Sequence, residues 1–401
     1  MTELLFNPFD PAFRADPYPF YDRLRETAPA YRTPLDTVVL SRYDDVSATL
    51  RSSDFSRDVA ANAKLTFNPL LAARRQVRDQ GTKSILNLDP PDHTRLRRLV
   101  SKAFTPSAIE SLRPRIQSQV DEILDQAAER GSMELVDELA FPVPFQVISD
   151  LLAMPTERAD ELRSWSQSLT AALEPTADEQ TMNDAEAALA QLLPYLVSVI
   201  EHRRSNLGTD MLSALLVLEE AGDRLTMDEL VSFVVLLYVA GHETTVNLIG
   251  NGTLALLRHP DQLRSWAADP SLDSNAVDEL LRYDGPVQLT VRVAMKDMVI
   301  RGESIDPGTV VMTSLGAANH DPAVFDHPHS LRLDRHNAGR HVALSGGIHY
   351  CLGASLAKLE AQVAIGSLIR RFPDMQLSAE PTWRDRLAIR GVDHMALSMR
   401  N

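Results

Sequence analysis

Cysteine is nearly absent from this sequence: Cys351 is alone among 401 residues. An internal disulfide is thereby excluded, and so is a CxxC zinc or redox site. Glycine is scarce too, with 17 residues beside 24 prolines. That balance suits helices divided by proline-marked corners better than a glycine-rich parallel sheet. Basic charge is in deficit: 40 Lys and Arg against 55 Asp and Glu leave a net −15, with no footprint for nucleic acid. No long apolar run is present either. The longest, Leu230 to Ala240, is interrupted by Ser232 and stops before His242-Glu243, well short of the ~20 residues that span a bilayer. Met1 to Pro8 lacks the basic start and apolar core of a signal peptide. The expectation is a soluble, cytoplasmic protein with no membrane span and no nucleic-acid partner.

What is present is the composition of an ordinary globular chain, 44% apolar and 24% charged. With no repeat or linker to mark a boundary, residues 1–401 read as one continuous domain, mainly α with a minor β region. Thr105-Pro106 opens a helix that carries Ile109, Leu112, Ile116, Val120 and Leu124 on one face, with Pro114 as a kink point and Gly131 as its end. Further helical patterns cover 156–173, 184–204, 210–221, 226–257, 274–283 and 354–371. Short strand signals lie at Thr37–Leu40, Leu289–Val293, Thr309–Met312 and Met395–Leu397. Gly250-Asn251-Gly252-Thr253-Leu254-Ala255 matches a loose dinucleotide fingerprint. The preceding Leu230, Phe233, Val234 and Leu237 have helical spacing, however, so small residues between packed helices are the better reading.

The most informative segment runs from Leu344 to Ala354 around Cys351. A lone cysteine in a large chain is commonly a small buried hydrophobe. Here Gly346, Gly347 and Gly353 allow a large flat ligand to approach the backbone closely. The run from Leu352 to Ile369 reads as a helix, which places Cys351 at its N-terminal end, where free N–H groups and the dipole favour a thiolate. One cysteine is too few for an ordinary iron–sulfur cluster, and heme iron held by one axial thiolate remains.

On this segment the sequence resembles the soluble bacterial class of the cytochrome P450 family, over essentially the whole chain. The family's loop F-G-x-G-x-H-x-C-x-G is matched at Gly347, His349, Cys351 and Gly353, with Leu344 in place of Phe and Ser345 in place of the first Gly. Those departures alter the packing and hydrogen bonding around the sulfur. Glu279-Leu280-Leu281-Arg282 looks like the family's ExxR, whose two side chains share a helix face, with Arg335 as a third member.

The resemblance implies a cytochrome P450 fold and heme b, with Cys351 as the axial ligand of its iron and His93, Arg97, Arg292 and His349 as donors to its propionates. His93 and Arg97 suit that task by being one helical turn apart. Within Ala240-Gly241-His242-Glu243-Thr244-Thr245 the resemblance implies an oxygen-binding groove, in which Thr244 and Glu243 help deliver protons; His242 has no assigned role. Pocket walls are expected from 57–88, 165–185, Val239, Ala240, Val287 to Leu289, and Ile389-Arg390. The implied activity is a monooxygenase acting with O2 on a hydrophobic small molecule, by hydroxylation or epoxidation, in secondary metabolism. Electrons would come from a ferredoxin and its reductase, docked on Arg95, Arg98, Lys102, Arg340 and Lys358. The alternatives are a peroxide-driven peroxygenase, against which the Glu243-Thr244 pair counts, and a non-catalytic heme-thiolate sensor.

Overall fold

The computed structural model describes residues 5–64, 83–155, 157–220 and 225–399. Its centre is the helix Met227–Arg258, which starts at a capping box formed by Thr226 and Glu229. Every residue from Val246 to Leu256 is buried, as expected of a helix that is apolar nearly all round. By length and composition this helix could cross a membrane, with mean hydropathy 1.3 over its best window, but two thirds of that window (67%) is buried inside the molecule. Against it pack Pro142–Leu151, Asp273–Asp284 and Ala354–Arg371. The glycines of the rejected fingerprint lie in this packing. A Cβ on Gly250 would fall 2.6 Å from Val392, and one on Gly252 would fall 2.9 Å from Leu280.

The β structure is small and lies to one side. Its main sheet has the spatial order Ala30–Arg32, Val38–Leu40, Val310–Ser314, Leu289–Ala294, Phe55–Ser56. Val38–Leu40 runs parallel to Val310–Ser314, and the other pairs are antiparallel. Two separate apolar clusters seat this sheet, apart from the large helical core. A second sheet joins Ser132–Glu134 to the C-terminal strand Ala396–Ser398 and to Gln376–Leu377.

Some elements differ from the sequence expectation. The helix expected from 105 to 131 is two helices, Pro106–Glu110 and Arg113–Arg130. Pro114 has no N–H, and its ring excludes the carbonyl four residues back, so the first helix ends at Glu110 and Pro114 falls in the opening turn of the second. The helix expected from 184 begins at Glu179, capped by the Asp178 side chain, and continues through Pro194 to Ser205. Tyr18–Thr27, Tyr43–Arg51, Pro142–Leu151 and Pro260–Ala268 are further helices that the sequence pattern did not reveal.

Candidate active site

The loop before Ala354–Arg371 is closed by the Cys351 N–H, which donates to Leu344 O at 3.0 Å. Gly347 is required twice over: its φ is +64°, and a Cβ there would meet the Leu50 carbonyl oxygen at 2.5 Å. Ser345 also sits at φ +64°, in a region that an L side chain enters at a cost. Helix Ala354–Arg371 starts later than expected, with Gly353 as its N-cap, so Cys351 lies ahead of its first turn. Burial pushes the Cys351 thiol up, while the Gly353 N–H and the Arg97 charge pull it down.

Next to this loop the structure gathers His93, Arg97, Arg292 and His349. His93 and Arg97 project from the helix Asp92–Ser101, Arg292 from the strand Leu289–Ala294, and His349 from the Cys351 loop. The His93 and His349 rings lie 4.2 Å apart. Arg97 Nη2 donates to Tyr350 O at 2.7 Å. Arg292 Nη1 donates to Val291 O at 2.9 Å. Three buried nitrogens of the set have no hydrogen-bond partner: His93 Nδ1, Arg292 Nη2 and His349 Nε2. Burial, then the neighbouring His93, Arg292, Arg57 and Arg97, drives the His349 pKa down to about 3. Burial and Arg57 lower Arg292 to about 9. Asp89 is the carboxylate that partly offsets these charges. Buried donors without acceptors are costly, and what satisfies such a set is an acceptor-only anionic group, such as a pair of carboxylates. The donor set therefore fits the propionates of a heme.

The long helix passes this region with its backbone unbroken. Thr244 Oγ1 donates back to Ala240 O at 2.9 Å and Thr245 Oγ1 to Gly241 O at 3.4 Å, which is how a Thr pair relaxes a helix without breaking it. Ala240 is exposed and Val239, Gly241 and Thr244 are half-buried, whereas His242, Glu243 and the run from Thr245 to Leu256 are buried. Glu243 is 1% exposed, held by Arg384 through a charge-assisted hydrogen bond, with Arg386 Nη1 at 3.6 Å. His242 is a core residue: its Nδ1 donates to Tyr238 O at 2.6 Å, its ring lies edge-on to Phe141 and Phe145, and burial lowers its pKa. Leu289 and Ile389 are buried and lie on segments bridged by the Val287–Ile389 pair. Of the expected pocket segment 57–88, residues 65–82 lie outside the described residues.

Behind the Cys351 loop, Arg282 Nε and Nη2 donate to Glu279 Oε2 and Oε1 at 2.7 and 2.8 Å. Arg335 Nε lies 3.0 Å from both oxygens, and the Arg332 N–H adds a further bond at 3.0 Å. The remaining guanidinium donors end on the carbonyls of Asn319, Asp326, His327, Pro328 and Ser330.

Sequence reasoning missed four charged residues of this region: Arg57, Glu360, Arg384 and Arg386. Burial lowers Arg57 to about 10, and its Nη1 donates to Val291 O at 2.7 Å. Glu360 is pushed up to about 8 by burial, beside the Thr245 hydroxyl. The signal for Glu360 was available, since an acid interrupts the apolar face of Leu356, Leu359 and Val363. Arg384 and Arg386 carried no such signal, because their carboxylate is 141 and 143 positions away in the chain.

Comparison with known proteins decides what this arrangement is. The chain matches the cytochrome P450 family model over residues 30–265 and 272–382. The chain belongs to the cytochrome P450 family. It is 42% identical over 398 residues to cytochrome P450 107B1 of Saccharopolyspora erythraea, covering 96% of each chain. It is 39% identical to a vitamin D(3) 25-hydroxylase of Pseudonocardia autotrophica, covering 98% of this chain and 96% of the other. Among solved structures, the bacillaene polyketide synthase P450 PksS of Bacillus subtilis superposes with TM-score 0.89 at 34% identity, over 99% of this P450 and all (100%) of that chain. This P450 therefore has its family's fold, is a monooxygenase-class oxidoreductase, and belongs to a family that carries heme b.

Proposed function

We propose that this P450 inserts one oxygen atom of O2 into a hydrophobic small molecule, by hydroxylation or epoxidation, with electrons from a ferredoxin and its reductase. The observation that carries the reading is the buried Glu243 immediately before Thr244, one turn from the exposed Ala240 on the long helix. Heme b, when bound, supplies the oxygen activation and electron transfer that side chains cannot. Cys351 holds its iron, and His93, Arg97, Arg292 and His349 hold its propionates. The three unpartnered nitrogens among the propionate donors support that assignment.

Thr244 presents a hydroxyl that moves a proton at Oγ1, and Glu243 takes protons in from outside. Arg384 holds the Glu243 carboxylate through its hydrogen bond and fixes its approach. Val239, Ala240, Leu289 and Ile389 form an apolar wall that orients the substrate and excludes water. The relatives named for vitamin D(3) and for a polyketide synthase favour a bulky apolar substrate of steroid, terpenoid, fatty-acid or polyketide type. The acid–Thr pair favours O2 over direct use of peroxide.

The ferredoxin docks on the Cys351 side of a cytoplasmic enzyme. There Arg51 and Arg340 border an open hollow of about 730 Å³ beside Tyr350, and Ile348 and Tyr350 are exposed. Of the basic residues expected in the patch, Arg95 is paired with Glu229 and Lys358 with Asp278. Arg98, Lys102 and Arg340 complete the basic patch proposed for docking.

The test is spectroscopic and then catalytic. Reduced holoprotein under carbon monoxide should show the displaced Soret band of a thiolate heme, and Cys351→Ser should abolish it. Product formation from apolar probes such as vitamin D(3) should require ferredoxin, reductase and O2. Charge reversal of Arg98 and Lys102 should slow ferredoxin-supported turnover and flatten its salt dependence. Equal turnover with peroxide and no reductase would instead establish a peroxygenase.

A further inference from the structure

The segment Arg386 to Arg390 hangs beside the strand that leads to Arg292. On its inner edge it is paired through the backbone: Gln288 N–H donates to Ala388 O at 2.9 Å and Arg390 N–H to Pro286 O at 2.8 Å. Among the described residues no strand pairs with its outer edge. Such an edge leaves N–H groups that must find other acceptors. One side chain supplies them. Glu174, 4% exposed, accepts from the N–H groups of Leu387 and Ala388 through Oε2 at 2.9 Å each, and from that of Ile389 through Oε1 at 3.0 Å.

Glu174 lies in the connection between the helices Ala159–Ala171 and Glu179–Ser205. A second tie runs beside it: Arg386 donates to Thr170 Oγ1 at 3.0 Å and to Gln167 O at 3.1 Å. The segment that carries Ile389 is thus fastened to this helix connection by a charged clamp as well as to the sheet by its backbone. Charge-assisted bonds to a buried carboxylate are the strong kind, and three of them converge here.

The geometry points to Glu174 as a specificity-determining positioning residue, which sets how far Ile389 projects over the pocket by holding the 387–389 backbone to the 172–178 connection. It rests on the reading of Ile389 and Leu289 as pocket wall. A carboxylate has only acceptors, so an amide in its place turns one acceptor into a donor facing N–H groups and releases the wall.

The experiment compares a small and a bulky ligand of the same iron. In Glu174→Gln holoprotein, the Kd of 4-phenylimidazole should rise about tenfold, the size of losing one strong buried hydrogen bond, while that of imidazole stays within about twofold. The reduced carbon-monoxide spectrum should be unchanged, and exchange of the 387–389 amides, read by mass spectrometry, should accelerate. Should Glu174→Gln not fold, Glu174→Asp keeps the charge, withdraws the carboxylate by one methylene, and should shift the same ratio of constants about threefold. A ratio that stays at the wild-type value, whether both constants move together or neither does, overturns the proposal. Wild-type protein without a Soret band would count against the heme reading alone; unchanged amide exchange in the variant would then overturn the clamp by itself.

Discussion

Two buried carboxylates in this molecule each face two arginines, and they are used differently. Glu279 is saturated: Arg282, Arg335 and the Arg332 N–H fill both of its oxygens, and the spare guanidinium donors end on backbone carbonyls. Glu243 is held by Arg384, while Arg386 stands off at 3.6 Å and gives its own donors to Thr170 and Gln167. A saturated cluster in a dry interior has one low-energy arrangement, so it locks the elements it joins. A partly saturated one leaves its carboxylate an alternative, which is what a group that passes protons needs. Glu360 extends the series, since burial pushes it up to about 8 and no arginine figures among the causes.

The largest expected effect is at the saturated end. Glu279→Gln strands two buried guanidiniums and should cost about 3–5 kcal/mol. Denaturant midpoints measured with and without heme should both collapse, and conservative repair by Asp should fail. Next comes Glu360, whose neighbour is the Thr245 hydroxyl rather than an arginine. The native state holds Glu360 protonated up to about pH 8, whereas the unfolded chain releases that proton near 4.5. The unfolded state thus binds fewer protons across that window, and stability falls as pH rises through it, by up to ~1.4 kcal/mol per pH unit. Glu360→Gln should flatten that slope in denaturant titrations run from pH 5 to 9.

Glu243→Gln separates the two arginine clusters. Gln keeps an acceptor for Arg384, so stability should fall by only about 1–2 kcal/mol. Turnover should drop about 100-fold, with a larger solvent isotope effect, because a proton path has lost its acid. Equal losses of stability in Glu243→Gln and Glu279→Gln would erase the distinction. The smallest effect concerns Ser345 at φ +64°. Ser345→Gly should relieve backbone strain and raise stability by about 0.5–1 kcal/mol, seen as a small upward shift in Tm.

Legibility followed sequence separation. The strands at Val38–Leu40, Leu289–Ala294 and Val310–Ser314, and the helices Met227–Arg258 and Ala354–Arg371, announce themselves through local periodicity. So do Glu279 and Arg282, three apart on one helix. Helices such as Tyr43–Arg51 escaped because tertiary burial of Tyr43, Val46 and Leu50 supports them more than their own pattern does. Arg57, Glu174, Arg384 and Arg386 escaped because each finds its partner far along the chain.

By itself, then, the sequence determined the family, the mainly α architecture, and the chemistry-bearing loop around Cys351, since residue types at short fixed spacing carry that information. The tertiary structure decided the state of each charge. Burial without an arginine raises Glu360, two arginines saturate Glu279 while Arg384 grips Glu243, and Glu174 accepts from the N–H groups of 387–389. Desolvation and hydrogen-bond supply depend on what the whole fold brings within about 3 Å, and no local pattern encodes that.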